Sequence, residues 1–254
     1  MRRSLAVLSL SLCLLGLARS AAGAGPQQYV SPSTQDRLVE LFTSEGCSSC
    51  PPADRWLSSL QQDPRLWTEI VPVAFHVDYW DNLGWKDRFA APAYSRRQRD
   101  YARGAGLSQV YTPGLLVQGR EWQGWFRDPN LKLPPAAEIG VLTLEIGDDR
   151  RGVVRFKPTG TAAGDDLSVS VALLGFDLVT TVKAGENSGR QLHHDFVVLG
   201  LTRVALRRDG GSFQARFDLP AATQPADRLA VAAWVSDQDK PTPLQAVGGW
   251  FAAQ

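Results

Sequence analysis

The sequence predicts an α/β domain built on a strand–helix–strand (βαβ) unit with a Cys-x-x-Cys pair at the helix N-terminus. A mostly β C-terminal region, a meander or sandwich, follows it. Three observations predict this. The runs "RLVELFTS" (37–44) and "EIVPVAFHVD" (69–78) are short, apolar and β-prone, with a helical pattern between them. Cys47 and Cys50 fall between the first run and that helix. After about residue 143 the helical patterns stop, and short alternating runs separated by turns take over.

Residues 1–24 read as a secretory signal. Arg2 and Arg3 precede an apolar stretch over residues 5–17, short for a membrane span, and Ala22-Gly23-Ala24 fits the small-residue cleavage pattern. The expectation is a periplasmic or secreted protein starting near Gly25, with no stable membrane insertion after cleavage; the alternative is an uncleaved anchor. Cleavage takes the 27 basic residues to 24 against 26 acidic ones, so the mature chain is weakly acidic. No long basic run concentrates the charge that phosphate binding needs, which argues against a nucleic-acid partner.

Residues 25–36, rich in Pro, Ser and Gln, read as a loose lead-in to a domain over 37–142. Within it, residues 53–62 carry Trp56, Leu57 and Leu60 at helical spacing and stop at Asp63-Pro64. The second strand is nearly all apolar, as a strand covered on both faces should be. Residues 79–89 form an aromatic-rich loop. Residues 92–107 read as a helix with Tyr94, Gln98 and Tyr101 along one side and its arginines on a solvated face. Residues 111–125 read as a third strand and a hairpin turning at Gly119 and Arg120. Pro134-Pro135 then introduce a helix through about Val141. The β-rich C-terminal domain spans 143–254.

Cys13 leaves with the signal, so Cys47 and Cys50 are the cysteines of the mature chain. A pair this close cross-links almost no loop, so a purely structural staple contributes little. At a helix N-terminus, unpaired backbone N–H groups and the positive end of the dipole favour a thiolate at Cys47. Cys50, further into the turn, can resolve a mixed disulfide. Pro51 and Pro52 are tolerated in a first turn. Zinc sites use the same spacing. Cys47, Cys50 and His76 together would suit copper or zinc, thiolates and imidazole being apt ligands.

His76 and Asp78 share one side of a strand end by the period of two, with Asp81 close behind. His76 there reads as a proton shuttle, a metal ligand, or a His–Asp hydrogen bond that fixes the loop. "GENSGRQLHHDFVV" (185–198) reads as a hairpin turn across which Glu186 and Arg190 pair, or as a hairpin reaching over the cysteines. His193 and His194, being adjacent, point to opposite faces.

The stretches "VELFTSEGCSSCPPAD", "FHVDYWDNLGWKD", "YTPGLLVQG" and "GENSGRQLHHDFVV" closely resemble a family of uncharacterised secreted bacterial proteins, a domain of unknown function. Residues 37–125 look like a thioredoxin-like domain. The resemblance implies a thioredoxin-like fold and export. It also implies a cis Thr112-Pro113 bond that faces the cysteines and docks an extended substrate, and a buried Glu40 that moves protons for Cys50. The alternative for Glu40 is a strand-edge side chain facing water. The Trp-Cys-Gly-Pro-Cys loop of thioredoxins is absent: Gly46 precedes the first cysteine and Ser48-Ser49 lies between the pair.

The function expected is an exported thiol–disulfide oxidoreductase with no cofactor, acting on a protein or a small thiol or disulfide. Cys47 is its nucleophile, Cys50 its resolving cysteine, Glu40 its proton carrier, and Thr112 and Pro113 its substrate contacts. The alternatives are a copper or zinc binding or delivery protein using Cys47, Cys50 and His76, and a non-catalytic thioredoxin-like binding module.

Overall fold

The run LSVSVALLGF at Leu167–Phe176 is buried along its whole length. A strand without a solvent face must be covered on both sides, and this one organises the molecule. The computed structural model describes residues 25–252 apart from 105, 129, 161–163 and 165. The signal segment expected over residues 1–24 lies outside the described residues.

The strands are β1 (Gln27–Val30), β2 (Arg37–Thr43), β3 (Ile70–His76), β4 (Gly114–Val117), β5 (Arg120–Glu121), β6 (Gly140–Ile146), β7 (Arg151–Pro158) and β8 (Leu167–Phe176). They continue with β9 (Leu178–Thr181), β10 (Gln191–His194), β11 (Val197–Ala205), β12 (Arg207–Asp209), β13 (Ser212–Asp218), β14 (Arg228–Asp237) and β15 (Pro243–Phe251). The α-helices are α1 (Pro51–Ser59) and α2 (Pro92–Arg103).

One sheet has eight strands in the order β15-β14-β8-β11-β3-β2-β4-β5, and a second has five, β1-β6-β7-β13-β12. Strands β9 and β10 pair only with each other. In the large sheet β3 runs parallel to β2 and to β11, while the remaining pairs are antiparallel. Alternation sorts its residues between two cores. Val169, Val171, Leu173, Val231 and Ala233 pack with Leu144, Val154 and Phe156 of the five-stranded sheet. Ala172, Leu174, Phe176, Ala232 and Trp234 pack with Phe42, Phe75, Tyr94 and Tyr101 on the other side.

This architecture overturns the expected fold class. The chain is mostly β, with fifteen strands against two α-helices among the described residues. The β2–α1–β3 connection exists, but it is one crossover inside a sheet drawn from both halves of the sequence, and the fold is not a thioredoxin-like α/β domain. The second neighbour of β3 is β11, joined at Ala74 N–H to the Phe196 carbonyl (2.8 Å) and by the Val197–Ala74 register. Strands before and after residue 143 thus share one sheet. Local periodicity gave the strand–helix–strand order correctly. It carried no information about a sheet neighbour more than a hundred residues downstream.

Three further differences have local causes. The lead-in contains β1, which pairs antiparallel with β6. The helix expected after Pro134-Pro135 does not form. Gln35 N–H bonds the Ala137 carbonyl and Ile139 N–H the Ser33 carbonyl, so this segment spends its backbone on the lead-in. The β4–β5 turn falls at Gln118-Gly119, both with positive φ (51° and 72°), as a tight hairpin of this kind requires.

Candidate functional site

Strands β2 and β3 end side by side, with Thr43 opposite His76 in the register. The cysteine loop leaves from the end of β2. Cys47 and Cys50 are joined by a disulfide, their Cα atoms 5.4 Å apart. Cys50 is the N-cap of α1, and Cys47 lies three residues before it. Pro51 and Pro52 fill the first helical positions and have no N–H to give. The next two, Ala53 N–H and Asp54 N–H, both bond the Cys50 carbonyl. The unpaired helix N–H groups expected to favour a thiolate are therefore spent or missing. What stands near the sulfur of Cys47 is the Ser49 hydroxyl, at 3.4 Å. Both cysteines are fully buried, while Ser48 and Ser49 are exposed.

Beside this loop lies a buried set of five titratable side chains. His76 Nδ1 and Asp87 Oδ2 are 2.7 Å apart, both inaccessible to solvent. Burial opposes the imidazolium of His76, but the charge of Asp87 outweighs it and holds its pKa above the ordinary value. Burial likewise works against the Asp87 carboxylate, and His76 wins, holding its pKa low. Asp87 also accepts the backbone N–H groups of Glu45 (2.8 Å) and Phe89 (2.9 Å). The His194 ring packs edge-on to His76, 5.0 Å between centroids. Its Nε2 is 3.5 Å from Glu45 Oε1 and its Nδ1 3.9 Å from Asp54 Oδ2. Burial raises the pKa of Asp54, against the opposing pull of His194 and His76. Burial pushes Glu45 the same way, but His194 and the Trp85 indole N–H (2.8 Å) overcome it and its pKa is lowered. Thr43 Oγ1, Glu45 Oε1, His76 Nε2, Thr180 Oγ1 and both His194 ring nitrogens are buried without a hydrogen bond of ordinary geometry, although His194 and Thr180 face Glu45 and Thr43 faces Asp54. Buried polar atoms are seldom left so.

The hairpin β9–β10 lies over the cysteine loop. Its loop residue Asn187 is fully buried, and its amide donates to the Glu45 and Cys47 carbonyls, both at 2.9 Å. The Glu186 carboxylate accepts the Ser48 N–H at 3.0 Å, and Ser48 lowers the pKa of Glu186. Arg190 bonds the Asn187 side chain (2.7 Å) rather than Glu186. On β10 His193 is exposed and His194 buried.

The other predicted residues are distributed as follows. Thr112-Pro113 is cis. Thr112 Oγ1 accepts the Trp80 indole N–H at 2.8 Å, and a Cβ added at Gly46 would come within 3.1 Å of Trp80 Cβ. Trp80 therefore links the cysteine loop to the Thr112-Pro113 turn. Glu40 is fully buried but lies with Arg97 (2.7 Å) and the Tyr101 hydroxyl (2.5 Å) of α2. Asp78 bonds the Ser95 hydroxyl, and Asp81 accepts the Asp87 N–H at 3.2 Å, so His76 finds its carboxylate eleven residues on instead. The set Cys47, Cys50 and His76 does not converge as metal ligands: the sulfurs are bonded to each other and His76 Nδ1 is committed to Asp87. Among the described residues no group of three or more His, Cys, Asp and Glu side chains is placed to hold a metal ion.

Sequence reasoning missed Asp54, Asp87 and the partners of His194; Glu45, close to the cysteines in sequence, does point inward. Asp54 carried a usable signal, since four residues after Cys50 it is one helical turn on. Asp87 carried none.

No curated protein matches the chain in sequence. The crystal structure of protein AGR_C_4864 from Agrobacterium tumefaciens is similar, with a TM-score of 0.57 at 25% identity, over 88% of this chain and 96% of that one. HBP35 of Porphyromonas gingivalis is similar in fold, with a TM-score of 0.56 at 15% identity, over 86% of this chain and 76% of that one. The family profile described as "Protein of unknown function (DUF1223)" matches residues 38–236, and the chain belongs to that family.

Proposed function

We propose that the protein is an exported thiol–disulfide exchange catalyst working through Cys47 and Cys50. The observation that carries this reading is a Cys-x-x-Cys disulfide set against a buried cluster of acids and histidines. In the reduced protein the Cys47 thiolate attacks one sulfur of a substrate disulfide, forming a mixed disulfide and releasing the other sulfur as a thiolate. The Cys50 thiolate then attacks the Cys47 sulfur, restoring the Cys47–Cys50 bond and releasing the second substrate thiolate. Two electrons pass to the substrate, and the two protons lost by the cysteines end on its two thiols. Run backwards, the same steps oxidise a dithiol. Asp54 and His194, rather than Glu40, are the proton-handling groups of this scheme, because Glu40 is spent on Arg97 and Tyr101. Export rests on the N-terminal residues 1–24 and on the absence of any mature cysteine other than this pair.

The test is disulfide exchange with glutathione by the wild type, Cys47→Ser and Cys50→Ser. Cys47→Ser is expected to lose at least a hundredfold in rate, and Cys50→Ser to accumulate a mixed disulfide at Cys47, read by mass. Equal rates for the wild type and Cys47→Ser would sink the reading.

A further inference from the structure

Helix α2 carries Arg96, Arg97, Arg99 and Arg103. Helical spacing sets Arg96, Arg99 and Arg103 along one side and turns Arg97 inward to Glu40. Folding brings Arg203 of β11 and Lys240 of the β14–β15 turn to the same place. These six side chains line a cleft of about 530 Å³ in which Asp100 and Asp239 are the only acids among the described residues. The whole chain carries a formal net charge of only +1, so the fold adds two cations distant in sequence to the four that α2 already concentrates.

Three of the six find an acid nearby: Arg97 pairs with Glu40, Arg103 with Asp100, and Lys240 lies 3.8 Å from Asp237. Arg96, Arg99 and Arg203 form no ion pair with a carboxylate among the described residues. Arg203 is also held in one pose. Its Nε donates to Ser168 Oγ (2.9 Å), and its Nη2 to the Asp237 (3.1 Å) and Gln238 (2.7 Å) carbonyls. Burial and then the charge of Arg97 pull its pKa below the usual guanidinium range. Asp100 and Asp239 pull the other way without overcoming this, so like charges remain crowded against too few acids, an arrangement that a bound anion relieves.

We propose that this cleft binds a small oxyanion of charge two or more. Guanidinium forks match paired oxygens of phosphate or carboxylate groups, and the volume falls within the range of small-molecule sites. The positive groups come from three separate elements and converge on a concavity. No aromatic side chain lines it to stack a nucleic-acid base. The inference does not depend on the cysteine chemistry.

The experiment is calorimetric titration of the full chain with pyrophosphate, at ionic strength matched with chloride, and with citrate as the carboxylate arm. Saturable binding is expected, weakened at least tenfold in Arg96→Gln/Arg99→Gln, whose exposed side chains leave the core intact, and in Arg203→Gln. Disulfide exchange should be unchanged in the double variant. The stronger of the two arms assigns phosphate or carboxylate chemistry. The inference is overturned if matched chloride abolishes the heat, or if the double variant binds as the wild type does. It is equally overturned if duplex DNA or anionic vesicles bind the cleft and neither small anion does.

Discussion

Among single residues, Asp87 holds the most together. It pairs with His76 and accepts two backbone N–H groups, all in the interior. Removing one partner of a buried pair strands the other. Asp87→Asn should therefore cost about 3 kcal/mol of stability near pH 6. The pH sign follows from the two shifts. The pKa of His76 is raised above 6.5, so its contribution is complete below 6.5 and is lost as pH rises through the folded value. The pKa of Asp87 is lowered below 3.8, so its share is complete above 3.8 and is lost on acidification through the folded value. The difference between wild type and variant should peak between those two pH values and shrink as pH rises through the folded value of His76, as denaturant titrations would show. A pH-independent difference would refute the ion-pair account. The sequence made Cys47 and Cys50 legible because their relation is local. Glu40 misled because period two decides its face: with Leu38 and Phe42 it faces α2, while Thr43 on the opposite face lies near Asp54.

At the scale of elements, the hairpin β9–β10 is the part whose role sequence left open between two readings. Its strands join no other sheet, so side-chain bonds to the cysteine loop fix its position. Asn187 supplies two of them. Asn187→Ala should cost about 1–3 kcal/mol and should speed reduction of the disulfide by dithiothreitol at least tenfold, since both sulfurs are otherwise covered. An unchanged reduction rate in a folded variant would show that the hairpin does not control access. The other elements divide by their signals. Strands β2 and β3 and helices α1 and α2 were readable from apolar periodicity, with Tyr94, Gln98 and Tyr101 buried along one side of α2 as the spacing requires. The expected helix after Pro134 failed because proline marks a helix start only when the following backbone has no better partner, and here Ser33 and Gln35 supply one.

For the whole molecule, the eight-stranded sheet is the decisive feature. Residues 25–142 leave β3 without β11, and leave Phe42 and Phe75 without Phe176, Trp234 and their neighbours. A fragment of those residues should show no cooperative thermal transition, whereas residues 25–254 should unfold in one step by circular dichroism. A folded fragment with its own transition would restore a division at residue 143. The composition shift there was real, but it marked a change in local pattern rather than the edge of a core.

The span of the contacts also sets an order of events. The disulfide links residues three apart in sequence, whereas the Asn187 bond that covers Cys47 spans 140 residues. A nascent chain emerging N-terminus first presents both thiols long before their cover has been synthesised. Once the cover docks, both cysteines are buried, and an oxidant or substrate reaches them only when the cover opens. The chain must acquire its disulfide while still incomplete or unfolded, or else through a later opening. The history of the bond is thus written into the distance between its two cysteines and the asparagine that closes over them.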